Sequence, residues 1–259
     1  MAVIQKTYIM GDTTDYEYTH PGRYGAPGEK RKEKLIPTPG QVLYQNRKNK
    51  AQTIRRLIKT NFTAEDWFLT LTWSKDKPKD MQEAYKDFKN FIDKMRDAYR
   101  KFGKELKYIY AIEIGSKGGI HIHLVINDIE GFHKLLKKYW NRGHPNTKNL
   151  YEDGDYRELG EYLAGMPKRQ EGKSIVETIK PLDKERYKYN HSRNLEQPIM
   201  KKKRYMHWKM RKVLRDLQNM RATPGYYIDK DSIRQGINPF TGLTYLSYSE
   251  HRIRGGDGT

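Results

Sequence analysis

Two rhythms of apolar spacing alternate between residues 62 and 150. Residues 68–73, Phe-Leu-Thr-Leu-Thr-Trp, have the length and composition of a strand. Over 79–102 the apolar side chains Met81, Tyr85, Phe88, Phe91, Ile92, Met95 and Tyr99 recur mostly at three and four, which predicts a helix. Asp80 suits its N-cap and Gly103 its C-terminal stop. Residues 108–114 and 120–126 predict two further strands, joined by a glycine-rich turn at 115–119. Short helices are predicted at 129–140 and 156–166. The order strand, helix, strand, hairpin, strand, helix predicts an α+β fold, an antiparallel sheet with helices on one face.

The flanks are less regular. Residues 1–42 carry scattered glycine and proline and no apolar period, so they predict a disordered or extended arm. Residues 43–60 predict a basic helix anchored by Leu43, Ile54, Leu57 and Ile58. Residues 199–221 predict an amphipathic helix whose apolar stripe runs from Met206 through Met220. Nine basic residues and one acid fill this segment. Beyond 224, Asn238-Pro239-Phe240-Thr241-Gly242 reads as a turn between two tyrosine-containing extended runs. Three segments follow: a basic N-terminal arm and helix (1–60), a catalytic domain (61–196) and a basic helix with a C-terminal hairpin (197–259).

Composition sharpens this. The 259 residues carry 51 Lys and Arg against 32 Asp and Glu, a formal charge of +19. Such an excess points to a polyanionic partner, nucleic acid first. With no cysteine, a disulfide scaffold and a thiolate metal site are excluded. No apolar run reaches membrane length and no signal peptide opens the chain, so the expected compartment is the cytoplasm, with no membrane partner.

The chemistry concentrates at Glu113 and in Gly119-Ile120-His121-Ile122-His123-Leu124. On a strand, Ile120, Ile122, Leu124 and Ile126 face one way, and His121 and His123 the other. If 115–119 is the hairpin loop, Ile114 faces Ile120 and Glu113 faces His121, about 5 Å apart. Two imidazoles and a carboxylate make a three-ligand set with open positions, the pattern of a catalytic divalent metal. Nitrogen ligands favour Mn²⁺ over Mg²⁺. A one-residue slip of register would turn Glu113 to the wrong face.

The His-hydrophobic-His motif resembles that of the HUH endonucleases, which include rolling-circle replication initiators, relaxases and single-strand transposases. Phe68-Leu69-Thr70-Leu71-Thr72 resembles the first motif of the initiators. Glu161-Tyr162-Leu163-Ala164-Gly165 resembles their tyrosine helix, except that Gly165 stands where a lysine is expected; Lys168 is the nearest substitute. Gly22–Gly25, the segment 189–195 and the Asn-Pro-Phe-Thr-Gly turn resemble initiator-like proteins of Gram-positive plasmids and phages. The resemblance implies a metal-dependent enzyme that nicks and joins single-stranded or hairpin origin DNA through a 5′-phosphotyrosine at Tyr162, working with a host helicase and polymerase. Tyr151, Tyr156, Tyr187 and Tyr189 are rival tyrosines. Lys201, Lys202, Lys203, Arg204, Lys209, Arg211, Lys212 and Arg193 are the expected DNA contacts, with Tyr205, His207 and Trp208 available for stacking. A relaxase or transposase shares this chemistry. A non-enzymatic nucleic-acid-binding protein with a structural metal is the reading from a different class.

Overall fold

The structure is a computed structural model, and it describes residues 2–20, 36–74, 76–115, 118–150, 155–167, 171, 174–181, 186–206, 220–238 and 243–253. The chain divides into two compact units, one of residues 39–196 and one of residues 1–38 with 197–259.

The unit of residues 39–196 opens with helix α1 (Pro39–Asn61). Its strands are β3 (Trp67–Leu71), β4 (Tyr108–Ile114), β5 (Ile120–Ile126), β6 (Asn146–Asn149) and β7 (Tyr187–His191). They form one sheet in the order β6-β3-β5-β4-β7. Every pairing is antiparallel. The α+β class is as expected. The hairpin register is too: Glu113 pairs with His121 and Ile114 with Ile120.

Helices cover both faces of this sheet rather than one. The reason lies in the strands themselves, which are apolar on both sides. Tyr110, Ile112, Ile122 and Leu124 pack with helix α2 (Met81–Lys101) and helix α3 (Phe132–Tyr139). The alternate positions Ile109, Ala111 and Val125 pack with Ile54, Leu57 and Ile58 of α1 and with Leu163 of helix α4 (Arg157–Leu163). A sheet buried on both faces needs a layer on each. Helix α2 begins where its sequence signals say: the Asp80 carboxylate accepts from the backbone N–H of Gln82 and Glu83. It stops at Gly103, with φ +67°. A short helix α5 (Ile175–Thr178) carries a capping box of Ser174 and Glu177.

The other unit is a second antiparallel sheet. Its strands are β1 (Ala2–Met10), β2 (Thr13–Thr19), β8 (Ile199–Met206), β9 (Tyr226–Ile237) and β10 (Thr244–Arg252). Their order is β8-β1-β2-β10-β9. Two expectations fail here. Residues 2–19 are paired strands, not an arm; residues 21–35 lie outside the described residues. Residues 199–206 are a strand, not the start of a helix, because β1 offers a continuous partner from Ala2↔Met206 to Ile9↔Ile199. The remainder of that expected helix, 207–219, lies outside the described residues. The two extended C-terminal runs do pair, as β9 and β10. A small core of Val3, Leu246 and Tyr248 holds this sheet.

Candidate active site

The site lies on the α1/α4 face of the first sheet. Glu113, His121 and His123 all point to that face, as the odd positions of β4 and β5 require. Glu113 Oε1 lies 3.0 Å from His123 Nε2. The His123 side chain is buried, at 7% exposure, while Glu113 keeps 32%. Thr70 of β3, directly across from His123, has its hydroxyl 3.3 Å from Nδ1. Phe68 stacks beside the imidazole, with ring centroids 6.2 Å apart. His123 therefore has both ring nitrogens engaged and one face packed. The hydrogen bond from His123 holds the Glu113 carboxyl below the usual carboxylate range. Burial opposes that shift, and the nearby imidazoles and the Tyr162 hydroxyl reinforce it.

Tyr162 meets this pair. Its hydroxyl is 2.6 Å from His123 Nε2 and 3.4 Å from Glu113 Oε1. Its ring meets His123 edge-on at 4.6 Å, yet the residue stays 40% exposed. Burial, then the negative charge of Glu113, pushes its phenol well above the ordinary tyrosine value. Of the rival tyrosines, Tyr187 donates its hydroxyl to the Leu163 carbonyl at the end of α4. Tyr189 lies under the Lys50 ammonium, 4.5 Å from the ring centre. Tyr156 is the left-handed residue before α4, at φ 48°. Tyr151 lies outside the described residues.

Gly165 has a structural reason to replace the lysine. It sits at φ +72°, with its N–H on the Tyr162 carbonyl and the N–H of Met166 on the Glu161 carbonyl. These two bonds form a Schellman stop, whose left-handed position favours glycine over lysine. Lys168 lies outside the described residues. The cations beside α4 that the sequence did not single out come from α1. Arg47 donates to the Gly165 carbonyl at 2.8 Å, and also to the Lys180 carbonyl. Lys50 covers Tyr187 and Tyr189. Burial lowers the pKa of Arg47, and burial together with Arg47 lowers that of Lys50. Their spacing of three within a basic helix was the only sequence signal they gave.

The donor set suits a divalent metal in chemistry and in face: two imidazoles and one carboxylate, with Glu113 and His123 already at neighbouring-ligand separation. The ring of His121 is 6.4 Å from that of His123, centre to centre. Among the described residues no group of three or more such side chains is drawn together tightly enough to hold a metal ion. His121 must turn toward the pair to complete the set.

Of the expected DNA contacts, Lys201, Lys202, Lys203 and Arg204 are exposed on β8, the edge of the other unit's sheet. Lys6 of β1 stands directly opposite Lys202, a like-charge pair that a bound anion would relieve. Arg193 is exposed just past β7. Lys209, Arg211 and Lys212 lie outside the described residues, as do His207 and Trp208. No described helix is long and apolar enough to cross a membrane.

Residues 66–166 match the model of a family of replication-associated proteins, the ORF2 type. The matched segment starts just before β3 and ends just after α4, so it contains Glu113, His121, His123 and Tyr162. No curated protein and no solved structure matches the chain.

Proposed function

We propose that the chain is a replication-initiating enzyme that nicks and rejoins single-stranded DNA of a plasmid or phage, with Tyr162 as nucleophile. The observation that carries this reading is the meeting of the Tyr162 hydroxyl with His123 and Glu113 inside the segment similar to replication-associated proteins. Glu113, His121 and His123 would hold Mn²⁺ or Mg²⁺, whose charge would polarise the scissile phosphate. His123 Nε2 is engaged by the phenol and by Glu113, so holding a cation there requires Tyr162 to give up its hydrogen bond and turn to substrate.

The phenolic oxygen attacks phosphorus. A tyrosine–phosphate bond forms, the bond from phosphorus to the 3′ oxygen breaks, and the strand keeps a 3′-OH. The phenol loses its proton to solvent and the leaving 3′ oxygen gains one. One phosphodiester replaces another, so a 3′-OH can later reverse the step. Phe68 and His123 hold the ring of Tyr162 on two sides, and the α1 cations Arg47 and Lys50 add positive charge beside α4. Lys168 and the basic strand β8 would hold DNA phosphates, positioning the strand without reading its bases.

The test uses the whole chain, Mn²⁺ and labelled single-stranded origin DNA. A covalent adduct is expected, absent in Tyr162→Phe. His121→Ala with His123→Ala should abolish the adduct while salt-sensitive binding persists. An adduct that survives in Tyr162→Phe refutes the nucleophile. Equal loss of binding and nicking in the histidine variant would instead favour a structural metal.

A further inference from the structure

Residues 190–194 have no part in the chemistry at Tyr162, yet they line a groove on the opposite, α2-facing side of the same sheet. The groove has a volume of about 640 Å³. Tyr85, Tyr110 and Tyr108 form a row within it, with successive ring centres 6.4 and 6.2 Å apart. Tyr85 and Tyr110 share a hydrogen bond and Arg96 bonds the Tyr108 hydroxyl, so the rings are fixed in place. Lys188 caps the far ring, 3.4 Å above Tyr85.

The rim is cationic. Lys89, Arg96, Arg100, Lys104 and Arg193 face two carboxylates, Asp93 and Glu105. Both acids are engaged: Asp93 with Arg96 at 2.5 Å and Glu105 with the Asn194 amide at 3.1 Å. From Lys89 to Arg100 the helix rises about 16 Å, a row that successive phosphates match and an isolated nucleotide does not fill.

We propose that this groove is a second binding site for single-stranded nucleic acid, taking unpaired bases against the tyrosine row and their phosphates along the cationic rim. A duplex hides the base faces that such a row needs, and an acidic peptide has no use for it. The proposal rests on the nucleic-acid reading of the chain but not on the chemistry at Tyr162.

The whole chain is irradiated with 20-nucleotide single strands carrying 5-iododeoxyuridine, and the cross-linked peptides are mapped by mass spectrometry. Adducts are expected at Tyr85 or Tyr108. In parallel, fluorescence anisotropy measures binding against salt. Lys104→Gln with Arg193→Gln, both exposed in the wild type, should weaken binding about tenfold and flatten the log–log salt slope by about 0.7 for each phosphate no longer neutralised. An unchanged slope with cross-links elsewhere overturns the proposal, as does equally tight binding of duplex DNA or polyglutamate. Tyr162→Phe run alongside separates the two readings: if the wild type forms no covalent adduct yet the groove cross-links persist, the groove stands and the nicking reading falls.

Discussion

Single side chains decide whether Tyr162 reaches its partners. Gly160 lies where α4 crosses α1. A Cβ there would come within 2.7 Å of the Ala51 carbonyl and 3.2 Å of the Arg55 Cβ. Neither neighbour can yield without moving the α1 backbone. Gly160→Ala should therefore cost about 1–3 kcal/mol in urea unfolding and reduce adduct formation more than DNA binding, since it shifts the helix that carries Tyr162. Asp155 secures the start of the same helix. Arg55 and Arg157 pair with it and Lys59 lies 3.8 Å away. Burial pushes its carboxyl up, but these three cations outweigh burial and hold it below the usual carboxylate value. A depressed carboxylate contributes stability above its unfolded value, about pH 3.9, and loses it as pH falls through the folded value. Asp155→Asn should be less stable at pH 7, by roughly 2–3 kcal/mol, and the gap from wild type should close on acidification below about pH 4. The residues that matter here were unequally legible. Glu113, His121 and His123 stood out because histidines interrupt an isoleucine alternation. Arg47, Lys50 and Asp155 act through neighbours more than a hundred residues away along the chain, and a charged residue in a basic helix looks like any other.

At the scale of elements, the hairpin β4–β5 was readable because its register is over-determined. A shift of one residue would bury His121 and expose Ile122, so a glycine loop and an alternating pattern fix it. Strand β8 was misread for the opposite reason. Its residues 200–206, Met-Lys-Lys-Lys-Arg-Tyr-Met, are exposed on both sides apart from Tyr205, so no face is marked by burial. The methionine spacing further on favoured a helix, and only pairing with β1 reveals the strand. Short edge strands rich in lysine also resist unwanted pairing with other sheets. If β8 also tracks phosphates, changing Lys201, Lys202, Lys203 and Arg204 together to Gln should barely move the melting temperature, as expected of exposed positions. The log–log salt slope for single-stranded DNA should fall by up to about 2.8, or about 0.7 for each phosphate released. An unchanged slope would remove β8 from the DNA path.

The molecule as a whole brings both ends of the sequence into one sheet. Tyr16 of β2 donates to the Glu250 carboxylate of β10 at 3.2 Å, across 234 residues. Buried Asp15 accepts from the Ser249 hydroxyl at 2.8 Å. Local periodicity cannot foresee such pairs, because neither strand has an apolar face strong enough to announce itself alone. Deleting residues 2–19 should strip hydrogen-exchange protection from β8 and β10, whose partners it removes, and leave β3, β4 and β5 protected. Synthesis imposes an order on this arrangement. The unit of residues 39–196 can close on itself as soon as it emerges. Strands β1 and β2 leave the ribosome before it, yet must wait for β10. At about 5–20 residues per second that delay is roughly ten to fifty seconds. A nascent chain thus holds its tyrosine and histidines in place while its earlier strands are still unpaired. Any stall late in translation would release a chain able to do the chemistry but lacking half a sheet.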